Sequence, residues 1–407
     1  MKNKIIMFFK IIRGFLGKIK RKFIRIHKFF VLRKIKNYPL NKPYKVGFIV
    51  QLFTIWDKQI DIYEEMLKRK DIQVFMFVVP DYDFKNDKIL NTYENNKFIK
   101  KYKNAIKTLD NQGKWLDLKQ YNLDYIFYPR PYEDYLPKQY RSNIISKYCR
   151  CCYIPYYLRG TSNYDDTRNP FFDNIYCLFM DSDYQKKLVE SHYPISHKFG
   201  VKKIFSLGYP VLARFLEYPK IEKIKTITWT PRWSMDPIVG GSNFLKYCDN
   251  FLTLIENKKY NYIFRPHPLM FDELIKKGYI DEKFKINFLK KLNENNVLFD
   301  TNSLIEDIFE KTDLLITDIS SIIPQFFITG RPLIYCVGGN FSLNEDYSQI
   351  MKYSYSANNW KEVLKYIELI EKNEDIYSKN KLEFINQKYS ICKNSAKSIV
   401  DKIEEGI

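Results

Sequence analysis

The stretch Thr312–Gly339 does most to limit the folds open to this chain; it reads TDLLITDISSIIPQFFITGRPLIYCVGG. Leu314–Thr317 is a short apolar run with turn chemistry behind it, as expected of a parallel strand buried on both faces. Asp318, Ser320 and Ser321 follow where that strand hands over to a helix. Ile322–Thr329 continues as an apolar segment, Gly330 stops it, and Arg331–Val337 reads as the next strand. Strand, polar elbow, helix and strand make a βαβ unit whose ligand side lies at the carboxyl end of the strand. Hydroxyls and free N–H groups at a helix start suit phosphate oxygens. Helix capping accounts for the same residues equally well when the stretch is taken alone.

Two other strand-like runs end in the same way. Ile227–Thr230 leads into Pro231, Arg232, Trp233 and Ser234; Tyr262–Phe264 leads into Arg265, Pro266, His267 and Pro268. Three such strand ends converge if they belong to one sheet. Arginine then offers a fork for phosphate oxygens, and histidine binds an anion or carries a proton near neutral pH.

Taken together, these residues resemble the CDP-glycerol glycerophosphotransferase family, which builds teichoic-acid-like poly(glycerol phosphate). The resemblance rests on Arg265-Pro266-His267-Pro268, on Thr317-Asp318-Ile319-Ser320-Ser321 followed by Gly330-Arg331-Pro332, and on Ser206-Leu207-Gly208-Tyr209-Pro210. Thr230-Pro231-Arg232-Trp233 is similar to the family's Pro-Thr-Trp-Arg segment. The match runs from about residue 170 to 340. It implies a GT-B architecture, in which two Rossmann-like α/β domains face a cleft and the second half holds the nucleotide. It also implies phosphate-binding roles for Thr230, Arg232, Arg265, Asp318, Ser320, Ser321 and Arg331, with His267 catalytic. The family's Trp-His-Gly-Thr segment, whose histidine is proposed as the base, corresponds here to Leu158-Arg159-Gly160-Thr161. A guanidinium stays protonated, so Arg159 serves as an anion binder and base work passes to His267, Asp165 or Asp166. For the two aspartates, a turn-forming role is the competing reading.

The first half alternates in the same manner. Strands are expected at Tyr44–Gln51, Ile72–Pro80, Asp124–Tyr128, Cys151–Pro155, Asn174–Met180 and Ile204–Leu207, and helices at Asp57–Lys70, Leu90–Gly113 and Ser182–His192. No G-x-G-x-x-G follows the first strand, which argues against a dinucleotide site. Tyr128–Pro137 and Ile154–Asp166 are polar, aromatic loops expected on the acceptor side of the cleft. Asp181-Ser182-Asp183 mimics a metal-binding D-x-D but opens a helix, where capping is its expected job. The boundaries drawn are 1–36, 44–215, 226–345 and a helical tail, 346–407.

Residues 1–36 are different in kind. They hold 13 Lys and Arg and no acid, and so supply most of the net charge of +20. Ile5, Phe8, Ile12, Phe15, Ile19, Phe23, Ile26 and Phe30 recur at three- and four-residue steps, predicting one apolar helical stripe opposite a basic face. No run is long enough to span a bilayer. The expectation is a helix lying on an anionic membrane surface; large Phe and Ile side chains favour lipid over nucleic acid. The competing expectation docks the stripe on the protein's own core. Seven cysteines without a secretory signal point to reduced thiols in the cytosol, and Cys149, Cys151 and Cys152 lack companions for a zinc site.

The expected activity is transfer of glycerol phosphate, or a related polyol phosphate, from a CDP-linked donor to a hydroxyl of a lipid-linked or polymeric glycan acceptor, with release of CMP. The expected place is the cytoplasmic face of the membrane, peripherally bound. No cofactor is called for, and a divalent metal is left open. A nucleotide-sugar glycosyltransferase and a non-catalytic membrane-surface scaffold are the rival readings.

Overall fold

A computed structural model describes residues 21–83, 86, 88–162, 165–219, 221–238, 241–301 and 304–407. The chain divides into two compact units. Unit 1 holds the residues up to Tyr156, Asp166–Leu207 and Lys397–Ile407; unit 2 holds Tyr157–Asp165 and Gly208–Ala396. The sequence boundaries miss two features of this division. The loop after Tyr156 belongs with the second unit, and the end of the last helix returns to the first.

Unit 1 is built on a seven-stranded parallel sheet. Its chain contributes β1 (Tyr44–Val50), β2 (Ile72–Val78), the short antiparallel pair β3 (Asp81–Asp83) and β4 (Lys88–Asn91), β5 (Ala105–Lys107), β6 (Tyr125–Tyr128), β7 (Arg150–Tyr153), β8 (Cys177–Met180) and β9 (Lys203–Ser206). The sheet order is β5-β2-β1-β6-β7-β8-β9. Strands β6, β7 and β8 are buried at every position, which is why, Arg150 at the start of β7 apart, their sequences read as apolar runs without alternation. The segment expected as one helix over Leu90–Gly113 instead holds β4, a helix at Tyr93–Lys101 and then β5, which pairs Ala105 with Met76. A three-residue edge strand has too few positions to show a period of two, so the surrounding helical spacing masked it. Ser182 caps the helix Asp183–His192, its Oγ accepting from Gln185 N at 3.2 Å.

Unit 2 repeats the plan with β10 (Thr226–Thr230), β11 (Asn261–Phe264), β12 (Leu298–Phe299), β13 (Leu314–Thr317), β14 (Leu333–Cys336) and β15 (Tyr355–Ala357), in the order β12-β11-β10-β13-β14-β15. All neighbours in this sheet are parallel. Along β10, Ile227 and Trp229 point into the core beneath the helix Phe244–Glu256, with the Trp229 ring 4.7 Å from Phe251 and 5.4 Å from Phe264. Burying each such aromatic stabilises the fold by roughly 1.5–3 kcal/mol. The opposite face carries Thr228, whose hydroxyl meets that of Thr312 at 2.6 Å. The helix Glu282–Glu294 was not anticipated. Asp281 caps it, accepting from Phe284 N at 2.7 Å, and Phe288 and Leu292 anchor it in the core.

Candidate functional site

In unit 2 the chain leaves β10 toward β11 and β12 on one side, then returns to β13 on the other. The loops leaving β10 and β13 therefore diverge, opening a crevice at the carboxyl ends of the two central strands. Arg232 follows β10, Asp318–Ser321 follow β13, and Arg265–His267 follow β11.

Asp318 holds this crevice together. It is almost fully buried, and its carboxylate accepts from Arg232 N at 2.8 Å, from Asn243 N at 3.2 Å and from Asn243 Nδ2 at 2.8 Å. Burial raises its pKa against the pull of those bonds. Asn243 Nδ2 also donates to Cys336 O at 3.2 Å, which ties the exit of β14 to the same point. Close backbone approach there requires glycine: a Cβ on Gly338 would lie 2.6 Å from Gly241 O. Asp318 is thus spent on the protein's own loops and is an organiser of the site, with no face left for a phosphate.

Around it stand the groups that bear on chemistry. Arg232 Nη1 donates to Ile319 O at 2.8 Å, while its buried Nε has no hydrogen-bond partner among the described residues. Burial lowers its pKa, with Asp318 opposing, and the guanidinium keeps its charge throughout the working range. His267 N donates to Pro231 O at 3.2 Å, stitching the β11 loop to the β10 loop. The His267 Nδ1 accepts from Leu269 N at 3.2 Å, so the neutral ring carries its proton on Nε2. Burial of the ring, then the charge of Arg232, pushes its pKa down to about 4, though solvent reaches the residue and screens part of both effects. A neutral imidazole with Nδ1 occupied is a donor through Nε2, not a ready base. Arg265 pairs with the buried carboxylate of Asp300, a partner the sequence did not suggest. Thr230 is buried and its hydroxyl reaches Ile316 O at 3.4 Å within the sheet. Ser320 Oγ accepts from Ile322 N at 3.4 Å, and Ser321 makes no capping bond with its side chain.

The Arg159 loop joins the same neighbourhood. Tyr347 Oη stands 3.1 Å from Leu158 O and 3.0 Å from Ser320 O, its one proton shared between the two carbonyls, so one hydroxyl binds this loop to the β13 elbow. Asn344 caps the helix Glu345–Met351 and grips the loop through Arg159 O, while its own N–H donates to Gly160 O at 2.9 Å. A Cβ at Gly160 would lie 2.7 Å from the Tyr347 ring, which explains the glycine after Arg159. The Arg159 guanidinium is buried and pairs with Asp165 at 3.3 Å. The side chain of Asp166 lies outside the described residues.

Arg331 does not reach the crevice. It precedes β14, at the amino end of the sheet, and donates to the carbonyls of Phe309 at 2.7 Å, Thr312 at 2.7 Å and Pro219 at 3.3 Å. It pins the sheet's far edge, so the expected phosphate role is withdrawn. Among the described residues no three of His, Cys, Asp and Glu are grouped as metal ligands. Tyr347, Asn344 and Asn243 escaped the sequence reading. The two asparagines stand one residue ahead of a helix, which marks a cap and says nothing of what the side chain grips, and Tyr347, inside its helix, gives no signal of its own.

Several solved structures share this fold. The UDP-GlcNAc 2-epimerase of Methanocaldococcus jannaschii aligns with a TM-score of 0.57 at 14% identity, covering 89% of this chain and 99% of that one. A glycosyltransferase from Rickettsia africae gives 0.53 at 11%, with 90% and 99% covered. A variant of the wall teichoic acid polymerase TagF, soaked with CDPG, gives 0.52 at 15%, with 97% and 96% covered. At such identities the likeness establishes the fold alone, α/β units on parallel sheets of the GT-B class. No curated protein matches the chain. The family described as CDP-Glycerol:Poly(glycerophosphate) glycerophosphotransferase matches residues 178–405, more than half of the 407, and the chain belongs to that family. It is a transferase of the glycerophosphotransferase type.

Proposed function

We propose that the protein transfers glycerol phosphate, or a closely related polyol phosphate, from a CDP-linked donor to a hydroxyl of a lipid-linked or polymeric glycan. The observation that carries this reading is the convergence of Arg232, His267 and the Ser320–Ser321 elbow at the divergence of β10 and β13. In the proposed step the acceptor oxygen forms a bond to the distal phosphorus, the anhydride P–O bond breaks and CMP leaves. Arg232 and Arg265 offset the negative charge that spreads over the phosphoryl oxygens, and Ser320 and Ser321 orient them. His267 donates through Nε2 to the departing phosphate. The acceptor proton passes to Asp165, whose neighbour Arg159 holds acceptor anion charge. The reaction takes place on the cytoplasmic side, with the basic N-terminal segment toward an anionic membrane.

The test is thermal unfolding of the full chain with CMP, CDP, CDP-glycerol, UDP, UDP-sugars and GDP. A ligand at 100-fold its Kd stabilises the folded state by about 2.7 kcal/mol. Selective stabilisation by cytidine nucleotides is expected. A uridine or guanosine preference would transfer the site to a nucleotide-sugar donor.

A further inference from the structure

The helix over residues 21–36 packs on unit 1 with the unexpected face inward. Leu32 and Ile35 are buried, and Arg25 lies on the same side, its Nε 3.2 Å from Asp173 Oδ1 and its guanidinium 4.8 Å above the Tyr193 ring. Arg25 Nη1 also donates to His192 O at 3.2 Å, and Arg21 binds Arg168 O. Lys28 is half-buried, and that burial, then the charge of Lys147, lowers its pKa. The described part of the predicted stripe points the other way: Phe23 is 68%, Ile26 47% and Phe30 58% exposed. The stripe residues before Arg21 lie outside the described residues. Docking of the stripe on the protein's own core is therefore overturned for Phe23, Ile26 and Phe30.

A second element continues the exposed surface. The helix Pro194–Lys198 and the residue after it present Ile195 at 65% and Phe199 at 60% exposure. Phe29 joins the two elements, its ring 5.6 Å from Phe30 and 6.1 Å from Phe199, and Lys36 Nζ donates to Phe199 O at 3.2 Å. Lys22, Arg33, Lys34, Lys36 and Lys198 are exposed on the same two elements. Large apolar side chains exposed on two elements that touch through Phe29, and accompanied by basic ones, suit a surface that is apolar within and anionic at its edge.

We propose that Phe23, Ile26 and Phe30, together with Ile195 and Phe199, form one surface that inserts at the headgroup boundary of an anionic bilayer. The proposal rests on the membrane part of the function above and adds a second element to it. The exposed lysines and arginines meet acidic headgroups, whose negative surface potential attracts them. The same positive charge opposes a second copy as the occupant, because a twofold contact would bring like charges together. Two elements joined through Phe29 also set the angle at which unit 1 meets the lipid, which a single helix leaves free to roll.

Sedimentation of the full chain with vesicles of phosphatidylcholine, alone or mixed with phosphatidylglycerol, tests this. Wild type is expected to bind the mixed vesicles and to bind neutral ones far less. The Ile195→Ser/Phe199→Ser variant should keep its Tm and lose at least about tenfold in partitioning, since two large apolar side chains no longer leave water. The Phe23→Ser/Ile26→Ser/Phe30→Ser variant should lose at least as much. Wild-type binding by I195S/F199S would overturn the two-element surface, and equal binding to neutral vesicles would overturn the anionic partner. Self-association that both variants abolish, without any lipid binding, would assign the patch to a second copy and overturn the proposal. Neither donor nor acceptor enters the assay, so its outcome is independent of the transferase reading.

Discussion

At the scale of single residues, His267 shows how a local hydrogen bond sets a chemical role. Leu269 N–H occupies Nδ1, so the proton sits on Nε2 and the ring offers a donor. His267→Ala is expected to lower kcat by about 10²-fold or more, measured as CMP release. His267→Gln, which keeps a donor, should retain more activity than the alanine variant. The pKa of His267, about 4 in the folded protein against an ordinary 6.5, has a definite sign for stability. Between those two values the unfolded chain binds more protons than the folded one, so stability falls as pH drops through that window. Unfolding temperatures of wild type should therefore fall more steeply from pH 6.5 to pH 4 than those of His267→Gln. Parallel curves would show that the ring is not held neutral. The presence of His267 between two prolines was legible in the sequence; the state of its two nitrogens was not, because that depends on a neighbouring amide.

Among the structural elements, the decisive contact is the one between the Arg159 loop and the helix Glu345–Met351. Tyr347→Phe removes a hydroxyl that bonds both Leu158 O and Ser320 O, and should cost about 1–3 kcal/mol of stability by leaving those carbonyls short of a donor. Because Tyr347 holds both the Arg159 loop and the Ser320 elbow, the variant should raise KM for donor and acceptor alike. Gly160→Ala should act in the same direction, since its Cβ meets the Tyr347 ring at 2.7 Å. Denaturant unfolding and titrations of donor and acceptor check both variants. The sequence marked Arg159 only by its departure from a family pattern. Asn344, whose side chain grips the Arg159 carbonyl, lies 185 residues away in the chain, and short-range pattern carries no information over that distance.

On the scale of the whole molecule, the chain's end matters for unit 1. Ile399, Val400 and Ile403 are fully buried, Arg69 pairs with Asp401 at 2.9 Å and Glu404 at 3.2 Å, and Tyr125 Oη donates to Ile407 O at 3.2 Å. Removing Lys397–Ile407 should destabilise unit 1 by roughly 5 kcal/mol or more, from the loss of three buried aliphatic side chains. Hydrogen exchange should show the loss in β1 and β6 and spare β10 and β13. Protection lost first in unit 2 would contradict the assignment of this helix. Periodicity identified the segment as helical and charged, and periodicity alone could not say which sheet it covers.

The sequence by itself determined the class of fold and the position of the crevice in unit 2. Buried parallel strands announce themselves as apolar runs, and the polar residues that end them stand beside their strands in the chain. Leu314–Thr317 was legible to the residue for that reason, and the run Ile227–Thr230 falls one residue short of its strand. Tertiary structure alone decided which partners each polar residue takes. Asp318, Arg331, Arg265 and His267 look equivalent as charged or titratable residues beside strands. Folding turns Asp318 inward onto Arg232 and Asn243, carries Arg331 to the opposite edge, and gives Arg265 to Asp300. It also turned the N-terminal helix so that Arg25 faces Asp173 and Phe30 faces solvent. The physical reason is common to all of them. A charged group goes where its counter-charge or hydrogen-bond partners stand, and those partners are set by long-range contacts that no local pattern of residues encodes.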